Sequence, residues 1–336
     1  MNRSINLVKK NDLVAANDSI KNEYVPFESE VIKAKLIYKN GIKTVRNSLL
    51  ELAAAKTFDI SPIDDLIDKL IESVKRNRYA LIGLCRIKDM SDYTYSHSLS
   101  SAILIIAFSI EMGFDDKKTR EIAYAAILGD VGKLRIKKDI LNKPEKLTKN
   151  EFEEIKKHAH FTYALLKKAN VFSDTSIRAA VEHHERWDGT GYPRGLVGNA
   201  ISTPGQMTAI VDVYDALTSP RCYMNAQEPT DMLKKMFSWG ETHFNPILLK
   251  KFVKLMGTYP VGTLLALSNA KIAVVVSQSG ANINSPIVKP VYDLESKKLL
   301  RESKHINLDK QDNDLKVIKH LKYDQLFFNP LSVLTQ

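Results

Sequence analysis

Only two cysteines, Cys85 and Cys222, occur in 336 residues, and they form no CxxC pair. Neither a disulfide framework nor a thiolate zinc site is indicated, so reduced, buried thiols are expected. Long apolar runs are missing as well. The longest, Ala102 to Phe108, covers seven residues, far short of the roughly 20 that a membrane-spanning helix requires. The opening Met1-Asn2-Arg3-Ser4-Ile5 leads into a polar, lysine-containing stretch without the apolar block of a secretory signal. A cytoplasmic protein that neither crosses nor enters a membrane is therefore expected. No internal repeat is visible.

What is present is an ordinary globular mixture, 44% hydrophobic and 26% charged, with a formal charge of +10. That balance attracts anions at long range. The lysines are scattered rather than blocked, and no helix-turn-helix, zinc-finger or aromatic RNA-binding signature accompanies them. Nucleic acid is not an expected partner, whereas an anionic nucleotide suits the charge.

The chain reads as three units. Residues 1–85 hold a weakly patterned start, with one short strand around Ile5 to Val8, and then two helices. The first runs from Glu28 to about Ala55 and contains Gly41. The second opens at Ser61-Pro62 and carries Ile63, Leu66, Ile67, Leu70, Ile71 and Val74 on one face. Residues 86–258 read as helix after helix. Tyr95 to Met112 is apolar enough to be buried on most sides. Asp115 caps the next helix, and Thr148 with Glu151 forms a capping box for one continuing through Lys168. Further helices cover Ser176 to Arg186 and Met207 to Thr218. Residues 259–336 change to β-type runs at Leu264–Leu267, Ile272–Gln278 and Ile287–Tyr292, a small antiparallel sheet followed by a charged, partly mobile stretch from Lys297 to Lys319.

Five of the eight histidines, His97, His158, His160, His183 and His184, lie between positions 97 and 184. Asp130 and Asp212 sit in apolar helical surroundings, where an unpaired carboxylate is costly unless it meets a cation. Any one such histidine reads best as a core residue bonded to backbone; the set together points to metal. Adjacent His183 and His184 project about 100° apart on a helix, so they share a centre only from a helix end or across two ions. Imidazole and carboxylate without thiolate suit iron, manganese, zinc or nickel. Two ions bridged by a carboxylate suit phosphoryl displacement. Lys133, one turn beyond Asp130, is placed to meet phosphate. The loop Trp187-Asp188-Gly189-Thr190-Gly191-Tyr192-Pro193-Arg194-Gly195 offers backbone N–H groups to an anion and the Tyr192 ring to a base.

His183-His184-Glu185, Asp188-Gly189-Thr190-Gly191-Tyr192-Pro193 and Asp212-Val213-Tyr214-Asp215-Ala216-Leu217-Thr218-Ser219 resemble the HD-GYP family of bacterial cyclic-di-GMP phosphodiesterases, within the HD phosphohydrolase superfamily. The resemblance runs from Asp92-Tyr93-Thr94-Tyr95-Ser96-His97 to Thr242-His243-Phe244-Asn245-Pro246 and on through Tyr259-Pro260-Val261-Gly262-Thr263. It implies a mainly α fold: an HD-type helical bundle with an N-terminal helical extension and a small C-terminal antiparallel β subdomain. It also implies metal ligation by His97, Asp130, His158, His183, His184 and Asp212, with Asp130 bridging two ions, iron or manganese. Lys133, Tyr192 and Arg221 would contact the phosphates, and Asp130 and Lys133 would carry catalysis of ring opening to pGpG or GMP. Tyr93 stands where some members place a glutamate for a third ion, so at most two ions are implied.

Two positions depart from the family pattern. Its His-Asp pair reads Gly129-Asp130 here, removing one imidazole ligand; Asp130, His158, His183 and His184 would still hold one ion, while the other keeps Asp130, His97 and Asp212. His160 is a candidate substitute. Arg221-Cys222-Tyr223-Met224 stands where the family reads Arg-Pro-Tyr and a basic residue, so Met224 removes a phosphate contact. Neither change touches the fold; both weaken charge stabilisation. Two functions follow as expectations: a phosphodiesterase, impaired or not, and an inactive member that binds the dinucleotide or a diguanylate cyclase through the GYP loop. No receiver or cyclase segment is visible, which leaves the N-terminal helices as the regulatory element.

Overall fold

The computed structural model describes residues 25–54, 58–86, 93–219, 227–279, 282–300, 303–310 and 314–322. The expected strand at Ile5–Val8, together with Arg221, Cys222 and Met224, lies outside them.

Helices α1 (Phe27–Ala53) and α2 (Ser61–Leu84) form an antiparallel pair. Their ends are tied where Arg76 and Ser73 of α2 donate to the buried Glu30 of α1. Gly41, in mid-helix, has a packing reason: a Cβ there would stand 3.0 Å from Leu99 and 3.2 Å from Leu66. The missing side chain lets α1 approach both α2 and α3 (Tyr93–Glu111), and Tyr38 reaches across to Ser100. Helix α3 is the central element, with Leu99 and every residue from Ala102 to Phe108 buried. Against it pack α4 (Asp116–Leu128) and α9 (Thr203–Thr218), and α8 (Asp174–Glu182) packs in turn on both of these.

Asp115 caps α4 by accepting from the Lys118 N–H. The predicted capping box is present: Thr148 accepts from Glu151 N–H, and Glu151 accepts from Thr148 N–H. The helix it opens ends sooner than the periodicity predicts. It divides into α6 (Lys149–Lys156) and α7 (His158–Ala169) at Lys157, following the short α5 (Lys138–Leu141). The break starts a new helix with His158 as its first residue and turns that imidazole inward. Likewise α8 stops at Glu182 rather than running to Arg186. Helices α10 (Pro229–His243) and α11 (Pro246–Met256) close the bundle, the latter capped by Asn245.

The C-terminal sheet is antiparallel throughout, in the order β4-β3-β2-β1-β6 with β5 also paired to β3. Its strands are β1 (Leu264–Leu267), β2 (Lys271–Ser277), β3 (Ile287–Asp293), β4 (Lys298–Leu299), β5 (Ile306–Asn307) and β6 (Val317–Leu321). Period-two alternation sends Leu264, Val274 and Val276 into the main core, and Leu265, Ala273 and Val275 into a small second cluster. Within Lys297 to Lys319, the stretch expected to be partly mobile, the described residues include β4, β5 and the start of β6. Charged side chains there occupy exposed strand positions. No helix of the described residues is long and apolar enough to cross a membrane.

Candidate metal centre

Five elements deliver the polar cluster. His97 comes from α3, Asp130 from the turn after α4, His158 from the first position of α7, His183 and His184 from the end of α8, and Asp212 from α9. His183 and His184 follow the last helical residue, which is how neighbours in sequence come to share one centre. The turn at Asp130 is fixed by Thr162, whose hydroxyl donates to Gly129 O and accepts from Gly132 N–H. Gly132 allows α7 to come close, since a Cβ there would stand 2.0 Å from His158 O.

Two groups of ligand atoms result, Asp130 with His158, His183 and His184, and Asp130 with His97 and Asp212. Asp130 is common to both. His158 Nε2 and His183 Nε2 each lie 3.6 Å from Asp130 Oδ1. His97 Nε2 lies 3.0 Å from Asp212 Oδ1 and 3.8 Å from Asp130 Oδ2. His184 Nδ1 is 3.8 Å from Asp212 Oδ2. His160 is exposed on α7 and joins neither group.

The cluster passes a chemical test for a cation. His158 Nδ1 donates to Ile155 O and His183 Nδ1 to Ala180 O, each at 2.7 Å, which aims both Nε2 atoms at Asp130. These two nitrogens and Asp130 Oδ1 are buried without a hydrogen-bond partner, and 3.6 Å is too long for one. Orphaned buried acceptors are costly; a cation between them satisfies all three. Backbone and carboxylate partners on the far ring nitrogens are the usual supports of ligating histidines.

Electrostatics keep both carboxylates ionised, while the imidazoles shift both ways. Burial would raise the Asp130 carboxyl, but Lys133 and the His183 and His158 rings hold it well below the usual carboxylate range. Burial likewise opposes ionisation of Asp212, which His97 and His184 offset, keeping it low. Burial first, then the Lys133 charge, pushes His158 down to about 4. His184 is depressed by burial and by His183. For His97 burial is outweighed by hydrogen bonds to Asp212 and Asp215, which push it up to about 9.

Lys133 donates to Asp130 Oδ2 at 2.7 Å and faces a cleft of ≈720 Å³, which Asp130, His183, His184, Tyr192 and Asp212 also line. Such a volume suits a small ligand. The Tyr192 ring lies 4.7 Å from that of His184 and meets Phe152 edge-on.

Three acids have parts that the residue pattern did not reveal. Asp215 accepts from His97 Nδ1 at 2.6 Å; its position one turn after Asp212 is the signal that marks it. Glu182, fully buried, accepts from Ser202 N–H and hydroxyl, Arg178 and Arg194, joining the end of α8 to the start of α9. Glu185 accepts from Arg194 N–H and Leu196 N–H and so holds the glycine loop. Within that loop Gly191 packs so tightly that a Cβ would fall 2.3 Å from Arg186 N.

Comparison with known proteins points the same way. A profile described as HD domain matches residues 87–248. A cyclic di-GMP phosphodiesterase of Pseudomonas aeruginosa is 35% identical over 81% of this chain and 66% of its own length. One of Thermotoga maritima is 30% identical over 74% of this chain and 68% of its own. The chain thus spans about two thirds of each. An HDG"Y"P protein from Bdellovibrio bacteriovorus shares the fold, with a TM-score of 0.54 at 16% identity over 66% of this chain and 71% of that one.

Proposed function

The chain belongs to the HD-GYP family of HD-domain proteins, and we propose that it is a metal-dependent phosphodiesterase opening cyclic-di-GMP to pGpG or GMP. The observation that carries this reading is the pair of ligand groups sharing Asp130, with three buried acceptors aimed at one point. Asp130, His158, His183 and His184 would hold one divalent ion, and Asp130, His97 and Asp212 a second, iron or manganese. Bound there, such ions supply Lewis-acid charge and lower the pKa of water.

Side chains of the cleft do the rest. Lys133 places an ammonium beside Asp130, the carboxylate common to both ligand groups, where it would meet the charge of a scissile phosphate. Tyr192 presents ring and hydroxyl toward the same space. Asp215 and the backbone carbonyls of Ile155 and Ala180 orient the imidazoles, so the cleft is organised before substrate enters. Arg221 remains a proposed phosphate contact by family analogy.

One observation favours a second reading. Gly129 offers no imidazole, so one ligand group has three donors where the other has four. A chain whose second ion is poorly held would bind the dinucleotide, or a diguanylate cyclase through the GYP loop, without turnover. Metal content of anaerobically purified protein, assayed with cyclic-di-GMP hydrolysis on that same sample, separates the two. About two ions per chain with pGpG formed supports the enzyme; one or none without product refutes it and leaves a binder.

A further inference from the structure

Beyond the metal centre, the cleft has a wall that catalysis at the phosphate does not use. Trp239 and His243, one turn apart on α10, stack at 4.9 Å with 22° between their planes, and both line the cleft. Gly240 lies between them at φ +47°, outside helical geometry, so α10 is kinked before its last residues. It is held there by the glycine loop, since Trp187 N–H donates to His243 O and Asp188 N–H to Thr242 O. Those bonds set Arg186, the preceding residue, at the rim beside the stacked rings, and it too lines the cleft.

Arg186 differs from the other arginines around it. Arg178 and Arg194 are both committed to Glu182. Arg186 is exposed. The carboxylate that feels its charge is Asp188, two residues on in the same loop, and no ion pair within 4 Å ties the guanidinium to a described carboxylate. A guanidinium fork left open to solvent beside an aromatic stack has the chemistry for one particular ligand edge. Guanine presents two acceptors, O6 and N7, that an arginine bonds in bidentate fashion; adenine presents a donor at the first of these positions. Ring stacking adds affinity without distinguishing bases, because every base has a π-face.

Resting on the cyclic-dinucleotide reading above, we propose that Arg186 and the Trp239–His243 stack form a base site that selects guanine over adenine. The rings supply affinity and Arg186 supplies identity, while the metal ligands act on the phosphate.

The test uses the full chain, metal-loaded, as wild type, Arg186→Gln, Trp239→Leu and Trp239→Phe. Substrates are cyclic-di-GMP and the all-adenine cyclic dinucleotide, since a mixed one could still place its guanine in the site. Metal content is measured on every sample. Arg186→Gln is expected to cut the guanine preference in kcat/KM about tenfold to a hundredfold, the range of one bidentate contact. The loss falls in KM, with metal content unchanged. Trp239→Leu is expected to weaken both substrates alike by about tenfold, and Trp239→Phe to restore most of it. A Trp187→Phe background leaves Trp239 as the sole tryptophan, and its emission should be quenched as either dinucleotide is titrated. An unchanged preference in Arg186→Gln, or unquenched emission in protein that hydrolyses substrate, overturns the base site alone. A wild-type chain that neither binds nor cleaves either dinucleotide overturns the phosphodiesterase reading and this one with it.

Discussion

Restoring an imidazole at position 129 is the most informative single change, and its size can be worked out beforehand. Gly129 has φ −52° and ψ −37°, so histidine meets no backbone strain there. Its Cβ would stand 3.0 Å from Ala125 O, one turn earlier, and 3.4 Å from the His183 ring. Next to it lies a cavity of ≈20 Å³, lined by Gly129, His97, Asp130, His183 and Asp212 among others. That is room for about one water-sized sphere, less than an imidazole, so neighbours must shift at a cost of about 1–3 kcal/mol. Replacing glycine at a helix end returns up to about 1 kcal/mol. Without metal, then, Gly129→His is expected to lie between level with the wild type and about 3 kcal/mol less stable. Metal adds an opposing contribution. An added ligand that tightens the second ion by at least the ~10- to 100-fold typical of supporting residues contributes about 1.4–2.8 kcal/mol at fixed free metal. At about 2 °C per kcal/mol for a chain of this size, the metal-induced rise in Tm should grow by about 3–6 °C. Paired thermal melts of metal-saturated and chelator-treated protein, with metal counted per chain, measure this directly. If the rise and the count match those of the wild type, the second group is not short of a ligand and the reasoning fails. If hydrolysis appears only in the variant, the natural chain is a binder.

Other outcomes follow from the same geometry. Asp215→Asn keeps the shape but removes the charge on His97 Nδ1, and should lower metal affinity about 10- to 100-fold in a competition titration against a chelating dye; an unchanged affinity would show that Asp215 is packing only. In metal-free protein, the His97 pKa, raised from 6.5 to about 9, contributes stability that is fully present below pH 6.5 and lost as pH rises through about 9. Metal affinity should climb over that same window, because the ion displaces the proton; a chelated protein whose Tm is flat from pH 6.5 to 9 contradicts this. Gly132→Ala drives a Cβ to within 2.0 Å of His158 O. It is expected to cost about 1–3 kcal/mol and to reduce metal content; wild-type melting and loading would show that the α7 approach is not tight.

Much of this arrangement was legible in the residues because its signals are local. The three-and-four spacing from Ile63 to Val74, the Thr148–Glu151 capping box and the apolar α3 each lie within a few turns of chain, where period and cap chemistry act. The polar cluster was legible for a related reason: a carboxylate among Ile127, Leu128 and Val131, or among Ile210, Val211 and Val213, has no cheap explanation but a partner. The helix ends at Lys157 and Glu182 were not legible. At both, the backbone departs from the periodic pattern so that a histidine begins or follows a helix, and nothing in the neighbouring residues records that.

Long-range partners account for the rest. Glu182 and Glu185 look like surface acids beside arginine, and their burial depends on Ser202, Arg194 and Leu196, which the fold alone brings near. Asp215 meets a histidine 118 positions away. His160 shows the converse: as a histidine two residues from a ligand it invited a role, yet on a helix two positions turn a side chain about 200° away, and it faces solvent. Residue type therefore identifies a set of candidate ligands, and helical phase divides it. His158 and His160 cannot serve one centre from a single helix, whereas His183 and His184 can because the helix has ended. For Gly129 the consequence is direct: His160 does not make up the missing ligand, since its imidazole points the other way.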